Sequence, residues 1–149
     1  MSPEALQAYL HDQIPLSRAM AVEVLEASAD RVELTAPLAP NINMHGTMFG
    51  GSVATLALLA AWSVLHLRLE ADGLPHQLVI HRTEAEYLAP ITGWARAAAN
   101  LEGADWEGFR HILDRRGRAR LSITSELRSD EGIAARLTGE FVALGTDRT

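Results

Sequence analysis

The sequence predicts one α+β domain in which an antiparallel sheet of about six strands wraps around a single long helix. Two observations carry this prediction. From residue 50 or 51 to about residue 71 the chain is apolar on nearly every side of a helical wheel, so a helix there must be enclosed by other elements. Residues 119–128 alternate apolar and polar side chains, which is the period of an antiparallel strand with one buried face.

Length and composition exclude several classes of function. The 149 residues suit one domain, residues 1–149, which is large enough to fold without metal or disulfide staples. The absence of cysteine excludes disulfides, a thiolate nucleophile and cysteine metal sites. A net charge of -6 and the lack of a long basic run argue against a nucleic-acid partner.

The N-terminal residues lack the basic and apolar regions of a signal peptide, so we expect a cytoplasmic protein. The strongest apolar run, residues 53–67, is shorter than the roughly 20 residues that a membrane span needs. We therefore expect a buried helix and no membrane partner.

The first elements follow from their boundary residues. Ser2 is placed to cap a short helix with Pro3 in its first turn, and Pro15 closes that helix. Residues 21–27 and 32–36 have strand composition and are separated by a turn, which predicts a hairpin.

The later elements alternate strands with two helices. Gly73 and Pro75 are typical of a helix end, so they should stop the central helix. The remaining predicted segments are, in order, strand 78–88, strand 94–101, an amphipathic helix 104–116 inserted between strands, strand 119–128 and strand 135–144.

The segment 41–52 concentrates glycine and polar side chains just before the central helix. The first amides of a helix have no partner within the helix, and the helix dipole favours negative charge there. Paired glycines, Gly50 and Gly51, let a substrate approach the backbone closely. This arrangement suits an oxyanion hole for acyl transfer.

The run Asn43-x-x-Gly46-Thr47-Met48-Phe49-Gly50-Gly51, followed later by Tyr87-Leu88-Ala89-Pro90-x-x-Gly93, resembles the thioesterase superfamily of hotdog-fold proteins. The resemblance covers nearly the whole chain. It implies the hotdog fold and a homo-oligomer, either a dimer or a dimer of dimers. It also implies thioester substrates that are carried on coenzyme A or an acyl carrier protein. No cofactor is implied beyond the coenzyme A or phosphopantetheine of the substrate.

The resemblance also implies roles for individual residues. Gly50 matches the glycine whose amide polarises the thioester carbonyl, and Asn43 matches the loop asparagine that holds substrate or water. Thr55 lies nearest to the family's catalytic face of the helix, and it completes the predicted catalytic set. The predicted substrate-binding residues are Gly46, Thr47, Phe49, Gly51, Ser52 and His81.

Two positions depart from the family pattern. Phe49 replaces the histidine before the two glycines, and Leu58 stands where the catalytic carboxylate is expected. The Phe-Gly-Gly version resembles a branch described as putative thioesterases. No Asp or Glu occurs from residue 50 to residue 69, so a water-activating group must come from the loop, a strand or another subunit.

Several histidines and glutamates could have either a catalytic or an ordinary structural role. His45 could act as a base or be an exposed loop residue, and alternation alone does not tell which sheet face His81 occupies. Glu84 and Glu86 could serve as a base if a dimer interface buries them. Ser63 and His66 share a stripe with Thr55, where we favour ordinary packing. The six His are scattered along the sequence, so no metal site is predicted.

We therefore expect an acyl thioester hydrolase with its active site at a subunit interface. The alternative is a non-catalytic hotdog domain that binds acyl-CoA or an acyl carrier, because the usual base is missing. A dehydratase is the third reading, and it lacks a convincing Asp-x-x-x-x-His pair.

Overall fold

The computed structural model describes residues 1–74 and 76–145, and its element order matches the prediction. The elements are α1 Pro3–Gln13, α2 Pro15–Ala19, β1 Glu23–Ala27, β2 Arg31–Ala36, a short 3-10 turn Ala39–Asn41, α3 Gly50–Ala71, β3 His76–Tyr87, β4 Ala95–Asn100, α4 Trp106–Arg116, β5 Arg118–Ser129 and β6 Gly132–Gly145. The predicted α+β class is confirmed.

The strands of the described residues form one antiparallel sheet of six, in the order β1-β2-β4-β5-β6-β3. β1 and β3 are thus the two edges. β3 is 12 residues long and, within the described chain, pairs only with β6. Both of its faces are exposed from residue 79 to its end, so this edge has little cover of its own.

Helix α3 lies against one face of the sheet and forms the centre of the core. Its residues Leu56 and Leu65 are fully buried. The central strand β4 faces it with three buried alanines, Ala95, Ala97 and Ala99. Small side chains let a helix approach a strand closely, so the sheet can curve around α3 without leaving a void.

The C-terminal end of α3 has the predicted glycine. Gly73 has a φ of 67° and its amide donates to the Glu70 carbonyl at 3.0 Å. A positive φ costs glycine little, so the chain can reverse directly after the helix. Pro75, which was predicted to follow, lies outside the described residues.

Two local features differ from the prediction. Pro15 does not only close α1 but also starts α2, where its missing amide hydrogen is not needed. β3 contains a bulge between Ile80 and Arg82, which places one extra residue opposite β6. An extra residue reverses the alternation of faces, so His81 does not share a face with Tyr87 as strict alternation predicts.

Candidate active site

The loop before α3 is held together by Asn43. Its side-chain oxygen accepts hydrogen bonds from the amides of His45 at 2.9 Å and Thr47 at 3.2 Å. Its side-chain nitrogen donates to the Thr47 hydroxyl at 2.9 Å. Gly46, at the turn, has a φ of 77°, which favours glycine. The asparagine therefore fixes the shape of the loop.

Asn41, which the sequence did not single out, anchors the same loop to the core. Its buried side chain donates to the carbonyls of Met20 at 2.9 Å and Pro37 at 2.8 Å. Its carbonyl accepts from the Phe49 amide at 2.8 Å. These bonds hold the residue that precedes α3, so the helix begins at a fixed position.

The first amides of α3 are free to bind a ligand. Within the described residues, the N–H groups of Gly50, Gly51 and Ser52 have no hydrogen-bond partner, and Phe49 at the N-cap position offers no side-chain cap. Such amides, together with the positive end of the helix dipole, attract a carbonyl oxygen or an anion. The predicted open helix start is therefore present.

Two aromatic rings flank this helix start. The Tyr87 hydroxyl donates to the Gly50 carbonyl at 3.0 Å, and the ring lies 3.6 Å from the position that a Cβ on Gly50 would take. The Phe49 ring covers Gly51 so closely that a Cβ there would come within 2.4 Å of it. Only glycine fits beneath Phe49 in this arrangement, whereas Gly50 has room for a methyl group.

An open apolar cleft lies beside the helix start. Met48, Val53, Tyr87 and Ile91 contribute to its walls, and its volume is about 240 Å³. Pockets for whole small molecules usually measure about 300 to 1,000 Å³. The cleft of one chain is therefore smaller than such pockets.

A comparison with known families identifies the chain. Residues 3–145 match the family described as putative thioesterase, named for the YiiD C-terminal domain. The protein belongs to this putative thioesterase family.

Solved structures of similar fold agree with this membership. A putative thioesterase from Shewanella oneidensis is 27% identical, with a TM-score of 0.84 over 95% of this chain and 96% of that one. A protein of unknown function from Chlorobaculum tepidum is 26% identical, with a TM-score of 0.85 over 97% and 98% of the two chains. A Pseudomonas aeruginosa protein described as a probable thioesterase shares the fold at 21% identity and a TM-score of 0.82, over 97% of each chain. The hotdog fold is thereby confirmed.

α3 is the core helix of this thioesterase-family fold. Among the described helices it alone is long and apolar enough to cross a membrane, but 67% of its apolar window is buried inside the domain. The length and hydropathy of α3 are thus explained by enclosure in the sheet, as its sequence predicted.

The predicted helix residues lie near the start of α3, and residues 50–69 contain no carboxylate. Ser52 and Thr55 are half-buried near the start of the helix, and their hydroxyls have no hydrogen-bond partner in the described chain. Leu58, where the resemblance to the thioesterase superfamily led us to expect a carboxylate, packs against the hydrophobic core. The half of α3 beside the loop therefore supplies no general base, since His66 and Glu70 are near the opposite end of the helix.

The residues of β3 divide between the two sheet faces. Tyr87 pairs with Ala135 on the α3 side, whereas Glu86 pairs with Arg136 on the outer side. His81 lies 3.8 Å from Glu140, which pairs with the outward residues Arg82 and Ser122. His81 is also six residues from Tyr87, roughly 20 Å along a strand. The fold of one chain thus does not bring His81 to the loop.

Two of the scattered histidines meet at the other end of α3. His66 Nδ1 and His76 Nε2 are 3.0 Å apart, although ten residues separate them in sequence. Burial lowers the pKa of His66, and the nearby His76 lowers it further. The interpretation of His66 as ordinary helix packing misses this contact, which no sequence spacing signals.

Proposed function

We propose that the protein hydrolyses acyl thioesters of coenzyme A or of an acyl carrier protein, at a site completed by a second copy of the chain. One observation carries the proposal: the amides of Gly50, Gly51 and Ser52 are unpaired at an uncapped helix start. These free amides can donate hydrogen bonds to a thioester carbonyl, and the apolar cleft beside them suits an acyl chain.

The amide of Gly50 would polarise the thioester carbonyl. Water attacks the carbonyl carbon, the carbonyl oxygen becomes negative, and the amide and the helix dipole stabilise that charge. The C–S bond then breaks. The products are a carboxylic acid and the thiol of the carrier, which takes up the proton released by water.

The loop residues position the helix start for this reaction. Asn43 and Thr47 fix the loop through their mutual hydrogen bonds, and Gly46 allows its turn. Ser52 and Thr55 offer free hydroxyls that can orient water or substrate. Phe49 and Gly51 form the wall beside the carbonyl.

A second copy supplies what one chain lacks. The cleft of about 240 Å³ is small for a whole substrate, and the half of α3 beside it carries no Asp, Glu or His. The uncovered edge of β3, with exposed Val79, Ile80 and Leu88, can pair with the same edge of another chain in a continuous antiparallel sheet. In such a dimer, or dimer of dimers, the water-activating base would come from the partner. His81 and Glu86 lie on the outer face of β3, away from α3, so they are not placed for that role. We place this reaction in the cytoplasm.

The decisive test removes the Gly50 amide hydrogen without removing the helix. Gly50 is the first residue of α3, where proline is well tolerated, and Phe49 has φ −57° and ψ 134°, which a residue before proline readily adopts. Gly50→Pro should lower kcat/KM for acyl-CoA hydrolysis by about 100- to 1,000-fold, as loss of an oxyanion donor does. Thiol release is measured over a panel of short, long and aromatic acyl-CoA substrates.

Gly50→Ala is the matched control. It adds a Cβ, which has ordinary contact with Tyr87 at 3.6 Å, but it keeps the amide hydrogen. We expect it to retain activity within about 10-fold of the wild type, since a methyl group only narrows the approach to the amide. Equal activities of the proline and alanine variants, with melting temperatures unchanged, would contradict the proposed role of the amide.

The second candidate function is acyl-thioester binding without hydrolysis. Leu58 favours it, because it packs in the core where the family's carboxylate would stand. Tight binding of acyl-CoA with no thiol release by any panel substrate would establish this function in place of hydrolysis.

A further inference from the structure

A second group of polar side chains lies at the opposite end of α3 from the proposed active site. His66 and Glu70 are four residues apart on the helix, so they share one face. His76 begins β3, directly after the turn. One ligand atom from each of these three residues lies within 4.8 Å of the others.

The two imidazoles are already spaced like ligands of one metal ion. His66 Nδ1 and His76 Nε2 are 3.0 Å apart. Two nitrogens bound to tetrahedral zinc at about 2.05 Å are about 3.3 Å apart. The separation of the two nitrogens is therefore within a few tenths of an ångström of the one that a shared ion requires, and small rotations of the rings would direct both lone pairs at an ion beside the line that joins them.

The orientation of His76 leaves its Nε2 available to bind a metal ion. Its Nδ1 lies 2.8 Å from the Leu74 carbonyl oxygen, to which it can only donate. In the neutral ring this bond leaves the lone pair on Nε2, which faces His66. Metal-bound histidines in proteins are commonly held by a hydrogen bond of this kind to a backbone carbonyl.

His66 is held in place by aromatic neighbours. Its ring stacks on Trp62 at 4.8 Å and on Tyr9 at 5.3 Å, and only 8% of the residue is exposed. These stacked rings fix the plane of the imidazole, so its Nδ1 stays directed toward His76.

Glu70 supplies a carboxylate on the open side of the pair. Its side chain is exposed on the last turn of α3, so it can rotate toward the two nitrogens without disturbing the core. Two imidazoles and one carboxylate form a ligand set that suits zinc and neighbouring transition ions. Magnesium and calcium prefer oxygen ligands alone.

We propose that His66, Glu70 and His76 bind one divalent transition-metal ion, zinc in the first place, with water in the remaining position. The ion would join the end of α3 to the start of β3. It would stabilise the folded chain in proportion to its concentration, because the unfolded chain does not hold the three ligands together. The proposal is independent of the thioesterase reaction, since the ion is at the far end of the helix.

The test uses the full chain without an affinity tag, stripped of metal with a chelator. Competition for zinc with a chromophoric chelator should give one ion per chain. His76→Gln should weaken the affinity by more than about 100-fold and Glu70→Gln by about 10-fold, since even partners of a ligand are worth 10- to 100-fold. Melting curves with chelator verify that both variants fold, and Glu70→Gln changes only an exposed side chain.

His111→Gln and Glu107→Gln are the matched controls, because both residues are exposed on α4. They should keep the zinc affinity of the wild type. Zinc should raise the melting temperature of the wild type and both controls but not of His76→Gln, and magnesium should raise none. Absence of stoichiometric zinc binding, or equal affinity in His76→Gln, would overturn the proposal and leave a simple hydrogen bond between two imidazoles.

Discussion

At the scale of single residues, Asn43 determines the conformation of the loop before α3. Its side chain makes three hydrogen bonds, all within four residues of its own position. An alanine side chain cannot make these hydrogen bonds. When a catalytic group is displaced by about 1 Å, the reaction rate can fall about 100-fold. The loop leads directly into the helix start that we propose as the oxyanion site.

We predict that Asn43→Ala lowers kcat/KM for acyl-CoA hydrolysis by about 10- to 100-fold, because the loop before α3 loses its internal bonds. Steady-state thiol release measures this loss. Asn100→Ala is the control, since Asn100, exposed at the end of β4, makes a similar local bond: its side-chain oxygen accepts from the Glu102 amide at 2.9 Å. A comparable loss of activity in both variants would show that the effect is not specific to the loop.

Sequence alone predicted some of the site's residues and could not predict others. Gly50 and Asn43 belong to a contiguous motif, so their proximity follows from the chain itself. Tyr87 contacts Gly50 across 37 residues, and Asn41 contacts Met20 across 21. Those contacts depend on how strands and loops pack, which a local pattern does not contain.

At the scale of elements, the strongest predictions came from periodicity. β5 was predicted from its alternation, and the structure buries Leu121, Ile123 and Leu127 on one face. α3 was predicted from its continuous apolar character. The bulge in β3 was missed because a single extra residue leaves no sign in composition, yet it decides the face of His81.

The end of α3 offers a prediction on stability. Gly73→Ala should lower the free energy of unfolding by about 1 kcal/mol, because a left-handed backbone is unfavourable for alanine. Gly73 has a φ of 67°, and open space surrounds the position of its missing Cβ, so strain alone causes the loss. Urea unfolding with chelator present measures it.

Gly93→Ala is the control for this loss. Gly93 also has open space around it but no left-handed φ. Its substitution should leave the free energy of unfolding unchanged or slightly higher, because alanine restricts the unfolded chain. Equal midpoints for both alanine variants would refute the strain argument.

At the scale of the whole molecule, the fold could be predicted from the sequence, but the surface through which two copies would meet could not. The order of elements and the wrapped helix follow from patterns within one chain. A subunit interface depends on two surfaces at once, and the sequence does not display where they meet. The exposed edge of β3 is the feature of the structure that most favours a second chain.

We predict that Ile80→Lys dissociates the proposed dimer and abolishes the proposed thioester hydrolysis, since charged residues on an edge strand oppose pairing. Ile112→Lys is the control, because Ile112 is 45% exposed on α4 and Ile80 is 42% exposed on β3. Sedimentation equilibrium gives the mass of each variant, and thiol release gives the activity. A dimer that persists in Ile80→Lys at micromolar concentration would argue against the β3 edge as the contact.

The hydrogen bond between Tyr87 and Gly50 connects the edge strand β3 to the start of α3. From first to last residue, α3 with its 22 residues is about 32 Å long and β3 with its 12 residues is about 36 Å long. The strand runs back beside the helix and is tied to it at both extremities, by Tyr87 at one and His76 at the other. α3 and β3 are thus similar in length, so a second chain bound along β3 would restrict the motion of both ends of α3 at once.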